Sequence, residues 1–216
     1  MLYRTNSLGK CSLSLITSAF LIGAIPTTSL GGVHDYNNTI TGRQPINESD
    51  VTINIGSGAI ANLDGSDVFN ITNKGGNATI TSEGNLVTTY SGGRGIYAEN
   101  EDNATDLTIT HKDGAILGND RGINAFNEGR GSTTIDISGI VKGGSDVGII
   151  SDSISLQSVT ITLNNQANVS GGSLAIRDFR GNAIATLKAG SAIIGGADLG
   201  DGNDILNIEE IGRAHV

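Results

Sequence analysis

Short runs in which apolar and polar residues alternate recur along most of this chain: VTINI (51–55), ATIT (78–81), LTIT (107–110), TTIDI (133–137), VTITL (159–163) and IATL (184–187). Alternation with period two is the mark of a strand with one buried and one wet face. In the first run Val51, Ile53 and Ile55 share one face and Thr52 and Asn54 the other. The central residues Ile53, Ile80, Ile109, Ile135, Ile161 and Leu187 lie 27, 29, 26, 26 and 26 residues apart. A second column, Ile96, Ile123, Ile149 and Ile176, keeps step at 27, 26 and 27, with Gly95, Gly122 and Gly148 before the first three. Between the two columns fall Gly-x-Ile-like segments at 114–118, 139–143, 167–171 and 190–195, so each unit offers three short strands.

A repeat of this size is too short for a strand plus a helix, and it has no apolar stripe at helical spacing. Gly, Asn and Asp punctuate it where the chain must turn. A parallel β-helix meets all three conditions, each turn stacking Ile over Ile and bonding through its backbone to the turns on either side. From Val51 to Ile208 this predicts about six turns, a rod of roughly 30 Å at about 4.8 Å per turn. An antiparallel sandwich is the alternative, because its short strands and turns have a similar composition.

The ends differ from this middle. Arg4 and Lys10 precede the apolar run Cys11–Ile25, followed by Pro26 and small residues, which is the layout of a helical secretory signal peptide over residues 1–30. Residues 31–50, with Pro45 and the polar run NNTITGRQPINESD, show no clear repeat and read as an N-terminal cap or linker covering the open end of the stack. Cys11 is the only cysteine, so the chain beyond the signal has no internal disulfide and must be held by packing. Aromatics are 4% of the residues and Trp is absent, which leaves the core to Ile, Val, Leu and Ala. A net charge of −9 and the lack of any Lys/Arg run argue against a nucleic-acid partner.

The segment GGADLGDGNDILNIE (195–209) resembles the G-D-G-x-D-x-L signature of autotransporter passenger domains, and Ser191–Gly195 looks like the strand that accompanies it. The resemblance implies a right-handed parallel β-helix displayed outside a Gram-negative cell, at the outer membrane or released. It also implies a partner β-barrel in the outer membrane, belonging to the same full-length chain, and an adhesive or stalk role toward host or neighbouring cell-surface glycans or proteins. No series of barrel strands occurs in residues 1–216. The last residues, EIGRAHV (210–216), match the translation of a short-read sequencing adapter and interrupt the repeat; they read as a scar, leaving 51–209 as an N-terminal passenger fragment.

No cofactor is expected. Asp198, Asp201 and Asp204 approach a calcium nonapeptide, but such loops bind calcium in tandem copies and a single copy is present, so a solvated polar turn is the simpler reading. Carbohydrate-active enzymes also use this fold, and a polysaccharide lyase or glycoside hydrolase would need paired carboxylates, or Asp and Arg, converging from neighbouring turns. The candidates are Arg94, Arg121, Arg130, Arg177 and Arg180; Arg94 and Arg121, 27 apart, are expected to stack with Asp120 and Asp146 nearby. His34, His111 and His215 are too dispersed for a zinc set or a catalytic triad. A non-enzymatic role is therefore expected, with ligand contacts sought on the longer excursions 100–106, 127–132 and 152–158.

Overall fold

The computed structural model describes residues 31–154 and 157–209. The expected signal peptide and the seven-residue tail therefore lie outside the described residues. Those described form strands throughout, with no helix among them. The first coil is β1 (Val33–Tyr36), β2 (Thr39–Ile40) and β3 (Gln44–Glu48); the second is β4 (Val51–Ile55), β5 (Ile60–Leu63) and β6 (Phe69–Asn73). The third is β7 (Gly76–Ser82), β8 (Asn85–Thr88) and β9 (Arg94–Asn100), and the fourth β10 (Ala104–His111), β11 (Ala115–Gly118) and β12 (Arg121–Asn127). The fifth is β13 (Thr133–Ile137), β14 (Ile140–Gly143) and β15 (Val147–Ser153); β16 (Ser158–Leu163) and the long β17 (Asn168–Asp178) make the sixth. β18 (Asn182–Leu187) and β19 (Ala192–Asp198) form the next coil, and β20 (Ile205–Ile208) begins another.

Each strand pairs in parallel with its counterpart one coil away, and the stack is a three-faced parallel β-solenoid. The first face is the 8-stranded sheet β1-β4-β7-β10-β13-β16-β18-β20. The other two faces join into one 12-stranded sheet, because β17 runs round the corner, pairing β14 at Asn168–Ser170 and β15 at Leu174–Asp178. From Val51 onward the stack has the expected six turns.

Alternation produces the core. Ile53, Ile80, Ile109, Ile135 and Ile161 are in direct register and fully buried. On the third face Ile96, Ile123, Ile149 and Ile176 do the same. Identical branched side chains stacked between turns exclude water from both sides, the condition for a repeat that has no large rings to bury. The glycine beside this ladder answers to close approach: a Cβ on Gly122 would lie 2.6 Å from the Gly148 carbonyl oxygen and 2.6 Å from Val141 Cγ1. At the tight corner after β10, Gly114 adopts φ 80°, which a side chain rarely tolerates.

Two expectations need correction. Ile161 stacks on Ala185, not on Leu187, whose partner is Leu163. Seven residues separate Ser151 from Ser158, but only four separate their partners Asp178 and Asn182, so the following strand arrives early. The offset from the expected register is two residues, an even number, and the same side chains still face inward. Residues 31–50, expected to lack the repeat, build a coil of their own: β1, β2 and β3 pair with β4, β5 and β6. Its alternation is hidden because only Ile40 and Ile46 are buried on its inner side, at 6% and 5% exposure. The Tyr36 ring, edge-on to Phe69 at 5.0 Å, closes over that end.

Candidate functional site

Three of the connections between coils turn the same corner, from the third face back to the first. They follow β9, β12 and β15, and they are the excursions singled out by length. After β9 the chain makes a β-turn through Asp102 and Asn103, closed by the Ala104 N–H donating to the Glu101 carbonyl at 2.8 Å. After β12 the side chain of Asn127 turns the backbone by accepting from Gly129 N at 3.1 Å. After β15, within the described residues, Gln157 N donates to the Ile154 carbonyl at 3.2 Å and Gln157 Nε2 to the Gly129 carbonyl at 2.5 Å.

These corners are held from inside by a column of buried polar residues that the sequence reading missed. Asn73, Asn100 and Asn127 are in register, followed by Ser153, all with zero exposure. Asn73 Nδ2 donates to Asn100 Oδ1 at 3.0 Å, Asn100 Nδ2 to the Thr105 carbonyl at 3.1 Å, and Asn127 Nδ2 to the Ser132 carbonyl at 3.1 Å. Ser153 and Thr133 share a hydrogen bond of 3.0 Å. The three asparagines thus pair carbonyls of the corner, those of Gly76, Thr105 and Ser132, and this fixes the direction in which the loops leave. The 27-residue spacing of the three asparagines was the available signal.

Outside the column the loops gather into a shallow edge. Glu99, Glu101, Asp102, Asn103 and Glu128 line a concavity of about 320 Å³. A neighbouring one of about 390 Å³ is lined by Asp102, Glu128, Gly129, Arg130, Ile154 and Gln157. The Tyr97 hydroxyl donates to Glu99 at 2.8 Å, and burial followed by that carboxylate pushes its ionisation up to about 12. Arg94 lies over the Tyr97 ring at 4.0 Å. The edge is therefore acidic and open, with the neutral Tyr97 phenol bonded to one of its carboxylates.

The arginines are mostly engaged elsewhere. Arg94 and Arg121 are opposed in register as expected. Arg94 grips Asp67 with Nη2 at 2.8 Å and Nε at 3.1 Å; burial would raise the Asp67 carboxyl, but these bonds hold it below its ordinary value. Arg121 binds Asp146 at 2.7 Å and approaches Asp120 at 3.6 Å. Burial acts on Asp146 too, and Arg121 and Ser173 outweigh it, leaving its carboxyl lowered. Arg180 meets Asp152 at 2.7 Å, and Arg177 lies 3.7 Å from Asp198. Of the candidate arginines Arg130 lines the concavity, so among the described residues basic groups are distributed along the rod and the carboxylates of the edge are collected in one place.

The calcium candidates are not brought together as a cage. Asp198 Oδ1 accepts from Gly200 N at 3.1 Å, and Asp204 Oδ1 accepts from Ala183 N at 2.8 Å. Asp201, between the positive-φ glycines Gly200 and Gly202, is itself exposed. Among the described residues no group of three or more His, Cys, Asp or Glu side chains is arranged to hold a metal. Of the histidines, His34 lies 3.3 Å from Glu48 and His111 is buried in the core, far apart in the stack; His215 is outside the described residues.

The class these features define is an all-β parallel solenoid with one loop-bearing acidic edge. Compared with protein-family models, curated proteins and solved structures, the chain matches none of them.

Proposed function

We propose that the chain is a segment of an autotransporter passenger: exported, displayed on a Gram-negative cell, its stack a stalk and its loop edge an adhesive surface for glycans or proteins of another cell. One observation carries this reading. Three corner loops from successive coils converge on a single edge of an otherwise uniform stack. Uniform faces suit a spacer, since every coil repeats the last, and loops at one edge suit contact, since they vary without disturbing the ladder. The G-D-G-x-D-x-L-like segment at 195–209 supports the family assignment, and with it an outer-membrane barrel in the full-length chain.

The edge is tested by displaying the chain on cells with Glu101, Asp102, Glu128 and Arg130 changed to Ala together, positions that are exposed and outside the buried column. Binding to a glycan array and to cultured cells is expected to fall by about tenfold or more, the scale of a single well-placed polar contact. Unchanged binding of the folded variant sinks the adhesive edge. A second reading, a secreted lyase or glycosidase, draws on the same carboxylates sharing one concavity. It requires cleavage of a polysaccharide that is abolished in Glu128→Gln.

A further inference from the structure

The inward column at the end of the first-face strands is Ile55, Ser82, His111, Ile137, Leu163 and Leu187, each in register with the next. Two members break an otherwise aliphatic ladder, and they are adjacent. His111 and Ser82 both have zero exposure. His111 Nε2 lies 3.2 Å from the Gly114 carbonyl, which can only accept, so Nε2 carries the proton. Nδ1 is then a bare lone pair with no hydrogen-bond partner, and the Ser82 hydroxyl has none either. A column that elsewhere uses Ile and Leu thus holds two unsatisfied polar atoms between the third and fourth coils, an arrangement that costs stability and that packing alone does not require.

We propose that His111 and Ser82 form an acid-sensitive seam in the solenoid, closed while the imidazole is neutral and loosened when it takes a second proton. The protonated ring would place an N–H⁺ at Nδ1 inside the core, away from solvent. The charged groups around it are few. On its own corner Lys112 and Asp113 follow it in sequence, and Lys112 is engaged at 3.4 Å by Glu83, which follows Ser82 on β7. From β13 and β14 the nearest charges are Asp136, which accepts from the Asn164 side chain, and Lys142, which is exposed. Across the core, Arg94 and Arg121 of β9 and β12 are ion-paired at the surface, and Glu99 of β9 takes the Tyr97 hydroxyl. Burial pushes the imidazole below its ordinary value, outweighing the backbone carbonyls of Gly114, Ser82 and Ile140 and the Asp113 carboxylate, all of which favour the proton.

The sign follows. Because the folded state binds this proton less tightly than the unfolded chain, the contribution of His111 to stability is complete above its unfolded value of about 6.5. It is lost as pH falls from there toward the lowered folded value. Asp178, whose carboxyl burial raises above its ordinary value, works in the opposite sense, so the effect is read as a difference between proteins. Thermal unfolding of the chain is compared with that of His111→Leu and His111→Asn at about pH 7.5 and about pH 5, the range in which an imidazole changes charge. The wild type is expected to lose at least about 3 °C more than either variant between the two, the shift that roughly a tenfold change in folding equilibrium produces in a chain of this size. Equal losses in all three overturn the seam. If neither variant folds, amide exchange of the wild type, corrected for the intrinsic pH dependence, decides it. Protection at Ser82, His111 and Ile137 is expected to fall by about tenfold toward pH 5 while that at Val51–Ile55 holds; unaltered protection at all sites overturns the proposal equally.

Discussion

A single amide decides how a corner of this molecule is built. Asn100 sits in the middle of the buried column, accepting from Asn73 and donating to the Thr105 carbonyl. Replacing it with Ala removes both bonds, leaving Asn73 Nδ2 only the Gly76 carbonyl and the Thr105 carbonyl only the Asn127 donor, so Asn100→Ala is expected to cost about 1–3 kcal/mol, measured as the shift in denaturant midpoint at constant m. The exposed Asn103, one turn away on the same loop, provides the control and is expected to change stability by less than about 0.5 kcal/mol. The difference between these neighbours was legible only in part. The 27-residue spacing of Asn73, Asn100 and Asn127 marks them as members of the repeat, but Asn is also a common corner residue, and nothing local tells a solvated Asn from one that turns inward.

At the scale of the strand, parity is what the sequence transmits best. Every alternating run expected to form a strand does so, and the inward set is the apolar one. Register is transmitted less well, because it accumulates over corners whose lengths vary; the Leu187 offset arises in the connection from β17 to β18. Just before that connection, at the end of β17, stands Asp178, an inward position on the column Ile46, Ile71, Ala98, Ala125 and Ser151. Its carboxylate accepts from Ser151 Oγ at 2.6 Å and Gly181 N at 2.9 Å. Burial, which these bonds only partly offset, raises its ionisation above the ordinary carboxylate range, with Asp204 and Asp152 adding to the rise. The folded state therefore binds this proton more tightly than the unfolded chain. The stabilisation is present below the unfolded value of about 4 and is lost as pH rises through the raised folded value. Relative to Asp178→Asn, the wild type is expected to lose stability as pH rises across that window, followed by chemical denaturation at a series of pH values. A constant difference between the two would show that Asp178 does not titrate there.

For the whole molecule, the consequence of a linear stack is that coils are interchangeable only in whole units. Leu107 and Thr133 are Cα partners on neighbouring coils, so removing 107–132 joins the chain in register and leaves each inward column intact. That deletion is expected to yield a folded, shorter solenoid with an unchanged strand signal by circular dichroism. Removing 107–131, one residue fewer, turns Thr133–Ile137 over, exposes Ile135 and buries Thr134; it is expected to aggregate or fail to fold. The amino-acid sequence by itself determined the fold class, the period and the inward face, because burial in a parallel stack needs an apolar residue at every second position and a corner at every third of a turn. It also pointed to the three long connections. Only the tertiary structure decided that those connections share one edge, that the segment before Val51 is a coil, that Arg94 and Arg180 are neutralised by Asp67 and Asp152 of the preceding coil, and that His111 faces Ser82 in the core. All four depend on which residues lie one coil apart, and that distance is set by the summed lengths of the corners, a quantity no single stretch of sequence contains.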